Sequence, residues 1–98
     1  MNLGEEDRAA LNALTLHGYC DAARCVERLM MDGETVLAVE IAGGRARLFI
    51  APPRRETGLW RAAAACKITP EEVTFVAVRF GCEIRWMLAR AAAERGVR

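Results

Sequence analysis

Histidine occurs once in the 98 residues, as His17, and lysine once, as Lys67. With a single imidazole in the chain, a cysteine nucleophile has only His17 to serve as its base, and no histidine-rich zinc set can be assembled. Long apolar runs are missing too: no stretch approaches the ~18 consecutive apolar residues of a membrane span. Met1 to Arg8 are acidic where a secretory signal is basic and then apolar. Neither secretion nor a membrane is therefore expected, and the chain is assigned to the cytoplasm. There Cys20, Cys25, Cys66 and Cys82 are expected as reduced thiols.

What is present suits a globular fold. Hydrophobic residues make up 53% and charged residues 28% of the chain, which opposes disorder. The length suits one domain, residues 1–98, with one core. Of the 14 basic residues 13 are Arg, and Ala occurs 18 times, a bias of GC-rich bacterial genomes and their viruses. The net charge of +1 hides an asymmetry, because residues 1–40 hold eight acids and three bases (−5) and residues 41–98 five acids and eleven bases (+6). Such a split can steer an anionic partner to one face.

The expected elements follow from periodicity. Glu5-Glu6-Asp7 followed by Ala10, Leu11, Ala13 and Leu14 reads as a helix whose acids favour the positive end of the dipole. His17-Gly18 is expected to break it. A second helix carries the apolar stripe Tyr19, Ala22, Ala23, Val26, Leu29 and Met30, and ends at Gly33. Thr35 to Ala51 switches to period two. A turn at Gly43-Gly44 pairs Ile41 with Ala46, Val39 with Leu48 and Leu37 with Ile50, and sets Glu40 opposite Arg47 and Ala38 opposite Phe49. Pro52-Pro53 ends the second strand, and Leu59 to Cys66 reads as a short alanine-rich helix.

Thr69-Pro70-Glu71-Glu72 has the signature of a helix start, yet Val73 to Val78 is β-branched and aromatic. A hairpin is preferred to a long helix over residues 70–88. Its loop Arg79-Phe80-Gly81 would pair Val78 with Cys82, Val76 with Ile84 and Thr74 with Trp86, turning Phe75, Val73, Glu83, Arg85 and Met87 outward. Leu88 to Glu94 reads as a C-terminal helix. The expected architecture is α+β: a four-stranded antiparallel sheet from two β-hairpins, with two N-terminal helices, a short connecting helix and a short C-terminal helix.

Roughly from Gly33 to Leu88, Ile50-Ala51-Pro52-Pro53 and the closing strand Gly81-Cys82-Glu83-Ile84-Arg85-Trp86 resemble a group of small uncharacterised proteins from phages and prophages of proteobacteria. The resemblance implies a viral accessory protein, of which inhibitors of bacterial immunity such as anti-CRISPRs are one sort. It carries no activity onto any residue.

No constellation specifies catalysis, a metal or a cofactor. Cys20 and Cys25 are five apart on a helix and point away from each other, and no second ligand pair follows. Glu5-Glu6-Asp7 and Glu71-Glu72 sit where helix dipoles want negative charge. The basic set is the stronger candidate. Arg45, Arg47, Arg54, Arg55 and Arg61 lie close to Phe49 and Trp60, and this mixture suits a partner-binding surface. Ion pairing with Glu40 and Glu56 accounts for the same arginines as a solvated face. The expected partner is a host or phage protein. Nucleic acid is the alternative, disfavoured by a net charge of only +1, and a homodimer is compatible with the pattern.

Overall fold

A computed structural model of the chain describes residues 3 to 94. Its helices are α1 (Glu5–Met31), α2 (Leu59–Ala62) and α3 (Arg90–Glu94). Its strands are β1 (Val36–Ala42), β2 (Arg45–Ile50), β3 (Ala64–Ile68), β4 (Glu72–Arg79) and β5 (Cys82–Ala89). They form one sheet in the order β1-β2-β5-β4-β3, antiparallel except where β2 meets β5 in parallel. The fold is α+β, as expected, but the sheet is mixed and has five strands rather than four.

Glu5–Met31 forms one 27-residue helix where two were expected. Gly18 does not break α1; it lets the helix touch the sheet. A Cβ there would stand 2.7 Å from Ile41 Cγ2 and 3.3 Å from the Gly44 carbonyl carbon. The helix begins with the Gly4 N–H donating to Asp7 Oδ2 at 3.3 Å. It ends as expected at Gly33, whose φ of +84° lets its own N–H reach Met30 O while Glu34 N–H reaches Leu29 O. Only part of the expected stripe is buried. Ala22, Cys25 and Leu29 face the sheet, Val26 is half-buried, and Tyr19, Ala23 and Met30 are exposed.

The first hairpin has the expected register from Ala38 to Ala42, with Glu40 opposite Arg47, Val39 opposite Leu48 and Ile41 opposite Ala46. Gly43 and Gly44 supply the two positive φ angles its turn requires. A bulge beyond Ala38 pairs Val36, not Leu37, with Ile50 and leaves Leu37 exposed.

The second hairpin is offset by one residue. Its loop is Phe80-Gly81 alone, so Arg79 pairs with Cys82, Ala77 with Ile84 and Phe75 with Trp86. Phe80 adopts φ +56°, a conformation aromatic residues rarely take, which is why Gly81 alone appeared able to turn the chain. Phe75 and Val73 consequently point inward, while Thr74, Val76 and Val78 take the opposite face.

The alanine-rich segment is helical only to Ala62 and then becomes the edge strand β3, paired with β4. Thr69 still makes the contacts of a cap, since its Oγ1 accepts the Glu72 N–H at 3.0 Å, but the result is the turn between β3 and β4. At the C-terminal end β5 runs through Ala89, which shortens the expected helix to Arg90–Glu94.

The core lies between the sheet and α1. Leu48, Ile84, Trp86, Cys25, Cys82 and Leu29 are almost fully buried there. Trp60, carried by α2, closes the far end of the same side, with ring centroids 5.2 Å from both Phe75 and Trp86. Its Nε1–H donates to Pro53 O at 2.9 Å.

Candidate functional site

Strand alternation gives the sheet a second face, and α1 and α2 both pack on the other one. Cross-strand pairing places Ala38, Phe49, Arg85, Val76 and Ala64 in one row across all five strands. The adjacent row holds Glu40, Arg47, Glu83 and Val78. Met87 and Thr74 continue the surface on the other side. Val78 and Met87 are largely exposed, and Phe49, Arg85 and Val76 are half-buried among their neighbours.

Glu83 organises the charges. Its carboxylate accepts from Arg85 Nε at 2.8 Å and from Arg47 Nε, and Arg47 also reaches Glu40 at 3.5 Å. The Arg85 hydrogen bond, against a smaller opposing effect of burial and with help from Arg47, holds the Glu83 carboxyl below the ordinary glutamate range. Glu83 in turn raises the Arg85 guanidinium further above neutrality. One carboxylate thereby holds both guanidinium groups, and Phe49 and Val76 flank Arg85 in the strand register of the same face. At one end of the face Glu40, Arg45, Arg47, Val78 and Glu83 line a shallow, open groove.

The seven residues singled out from sequence do not form one surface. Arg45, Arg47 and Phe49 lie together on the open face because they alternate along β2. Trp60 belongs to the core on the opposite side of the sheet, where its ring packs edge-on against Phe75 and Trp86. Arg54 is tied to the end of α1, its Nη2 donating to Asp32 O at 2.9 Å. Arg55 and Arg61 flank the exposed rim of Trp60 and line a separate depression with Glu56 and Thr57. In their place the fold brings in Arg85, Glu83, Val76, Val78 and Met87. Outward positions for Glu83, Arg85 and Met87 were expected; Val76 and Val78 were hidden by the one-residue offset.

Cys25, Cys82 and His17 lie away from this face, whereas the exposed Cys66 of β3 is near enough to Arg85 to act on its charge. Cys25 and Cys82 meet in the core between α1 and β5, and Cys82 Sγ lies 3.4 Å from Asp21 O. Burial, reinforced by the neighbouring Cys82 thiol, pushes the Cys25 thiol up to about 12; burial likewise raises Cys82. Both are protonated at neutral pH, the opposite of what a nucleophile or metal ligand needs. His17 is exposed on α1 with its Nε2 3.4 Å from Asp21 Oδ2. Among the described residues no group of three or more His, Cys, Asp or Glu side chains converges, and no helix is long and apolar enough to cross a membrane. No family model, curated protein or solved structure matches the chain.

Proposed function

We propose that the chain is a small non-catalytic binding protein that engages a protein partner through the open face of its sheet. The observation that carries this reading is the row Phe49, Arg85, Val76, flanked by the Arg47–Glu83–Arg85 network, on a face with no covering layer among the described residues. Arg, aromatic residues and Met are the types enriched where proteins meet, and this face presents all three. Because Glu83 already orients both guanidinium groups, little side-chain freedom remains to be lost on binding. Nucleic acid fits less well: Glu40 and Glu83 stand among the arginines and would repel a phosphate backbone. The resemblance to small phage proteins supports a viral accessory role, and blocking a host defence complex is the kind of action it implies.

Affinity purification of the tagged protein from a bacterial host, with nuclease treatment and with the Phe49→Ala variant in parallel, tests the reading. A protein partner should survive nuclease, bind with little salt dependence and be lost with Phe49→Ala. Full capture by Phe49→Ala and by Val76→Asp would remove the open face as the site. Binding that weakens steeply between low and moderate salt would favour nucleic acid instead.

A further inference from the structure

The apolar surface of α1 is wider than the part of the sheet beneath it. Tyr19, Ala23 and Met30 lie on the helix flank above β1, and with Val26, Met31, Val39 and a single charged residue, Glu27, they line a largely apolar groove. Below that groove β1 is the outermost strand, so the backbone N–H and C=O groups on its outer side have no ladder partner among the described residues. Edge strands in soluble proteins are commonly guarded by lysine, proline or bulges. The opposite edge, β3, has such guards in Lys67 and the bulge beside it, whereas β1 has a bulge only at its start, between Val36 and Ala38. From Ala38 to Ala42 β1 is regular, and its one charged side chain, Glu40, is turned to the open face to meet Arg47.

We propose that a second copy of this chain covers the groove. In this isologous dimer β1 pairs antiparallel with β1 of the copy, and the two α1 helices pack side by side. The argument is that one two-fold axis satisfies strand pairing and helix packing together. Gly18 lies against Ile41. A strand rises ~3.3 Å per residue and a helix ~1.5 Å, so moving two residues back along β1 to Val39 moves four or five along α1, to Ala22 and Ala23. Those three residues do share the groove. An axis through the pair of Val39 residues therefore also passes between the pair of Ala23 residues, the smallest side chains on the flank.

The spacing agrees as well. Since α1 packs on both β1 and β2, its axis lies over the gap between them, about 2.4 Å inside β1 at the usual ~4.8 Å strand spacing. With β1 half a strand spacing from the two-fold axis, the two helices stand about 10 Å apart, at the upper end of the ~8–10 Å of packed helices. They run antiparallel, so Leu16 faces Met30 of the second copy, and the dipoles oppose favourably. Leu16, Tyr19, Met30, Met31, Leu37 and Val39 are each 46% to 77% exposed. Together they expose on the order of 700 Å² per copy, so an interface that covers most of it approaches the ~800 Å² each partner gives a standard interface.

This dimer is independent of the binding face proposed above, which lies on the other side of the sheet. Sedimentation and light scattering across a concentration series should give twice the 10.8 kDa chain mass. Val39→Lys should weaken association by at least about 30-fold, as at a buried interface centre, with the circular dichroism of the chain retained. If Val39→Lys does not fold, Tyr19→Glu on the exposed flank is to give the same dissociation. Ala23→Cys in a Cys20→Ser, Cys66→Ser background should form a disulfide-linked dimer on mild oxidation, whereas Phe49→Ala should leave the dimer intact. A monomer at all concentrations, an open-ended polymer, or a dimer that survives both charge substitutions or is lost with Phe49→Ala would overturn the proposal.

Discussion

The two faces of the sheet are made from alternate residues of the same strands, and they follow different rules. On the covered face, Leu48, Ile84, Trp86 and Ala77 are almost inaccessible and contribute by excluding water. On the open face, Phe49, Arg85, Val76 and Met87 keep apolar area in or near solvent around a charge network that binds nothing else in the described chain. A chain with one long helix cannot cover both sides of five strands, so its uncovered side is where selection for a partner can act without disturbing the core. Trp60 shows the same rule from the opposite direction, because an aromatic that seemed fit for a partner was needed to close the core.

The sharpest way to break this comparison is at two neighbours on β5. Trp86→Ala should cost about 3–5 kcal/mol in denaturant unfolding, while Met87→Ala, one residue along and facing out, should cost about 0.5 kcal/mol or less. Equal costs would mean that the second face is buried after all. Gly18→Ala tests how closely α1 approaches the covered face. Overpacking against Ile41, partly offset by the better helix propensity of alanine, should give a net loss of about 1–2 kcal/mol.

Glu83→Gln probes the open face and should cost less than about 1 kcal/mol at neutral pH, because the network is only partly shielded from water. Its signature is the pH profile. A carboxyl whose folded pKa is depressed contributes fully above the ordinary glutamate range and loses that contribution as pH falls through the folded value. The wild type should therefore lose stability on acidification more steeply than Glu83→Gln, and the difference between their urea midpoints should close in acid. The smallest effect belongs to the turn that set the faces. Phe80→Asn relieves the left-handed strain at φ +56° but gives up the ring contacts with the Arg28 and Arg79 guanidinium groups, leaving stability within about 1 kcal/mol of wild type.

Legibility from sequence followed the turns. The first hairpin could be read because two adjacent glycines mark its turn and a one-residue slip would bury Glu40 and Arg47. The second was misread by one position because phenylalanine occupies a backbone region that local preference reserves for glycine or asparagine. That offset turned Phe75 toward the core and concealed Val76 and Val78 on the candidate face. β3 was unreadable for a related reason: alanine favours helix locally, and only hydrogen bonding along β4 makes Ala64–Ile68 a strand. Gly18 was read as a helix break when its role is a contact 23 residues distant, with Ile41.

What the sequence determined by itself was every feature encoded in residues adjacent along the chain: the acidic helix start, the Gly33 stop, the Gly43-Gly44 turn and the alternation that puts Arg45, Arg47 and Phe49 on one side of β2. Only the tertiary structure decided the parallel meeting of β2 with β5, the recruitment of Trp60 to the core and the assembly of Arg85, Glu83 and Val76 beside Phe49. Those outcomes depend on which surfaces remain to be buried once the local elements exist, and residues far apart in the chain settle that jointly.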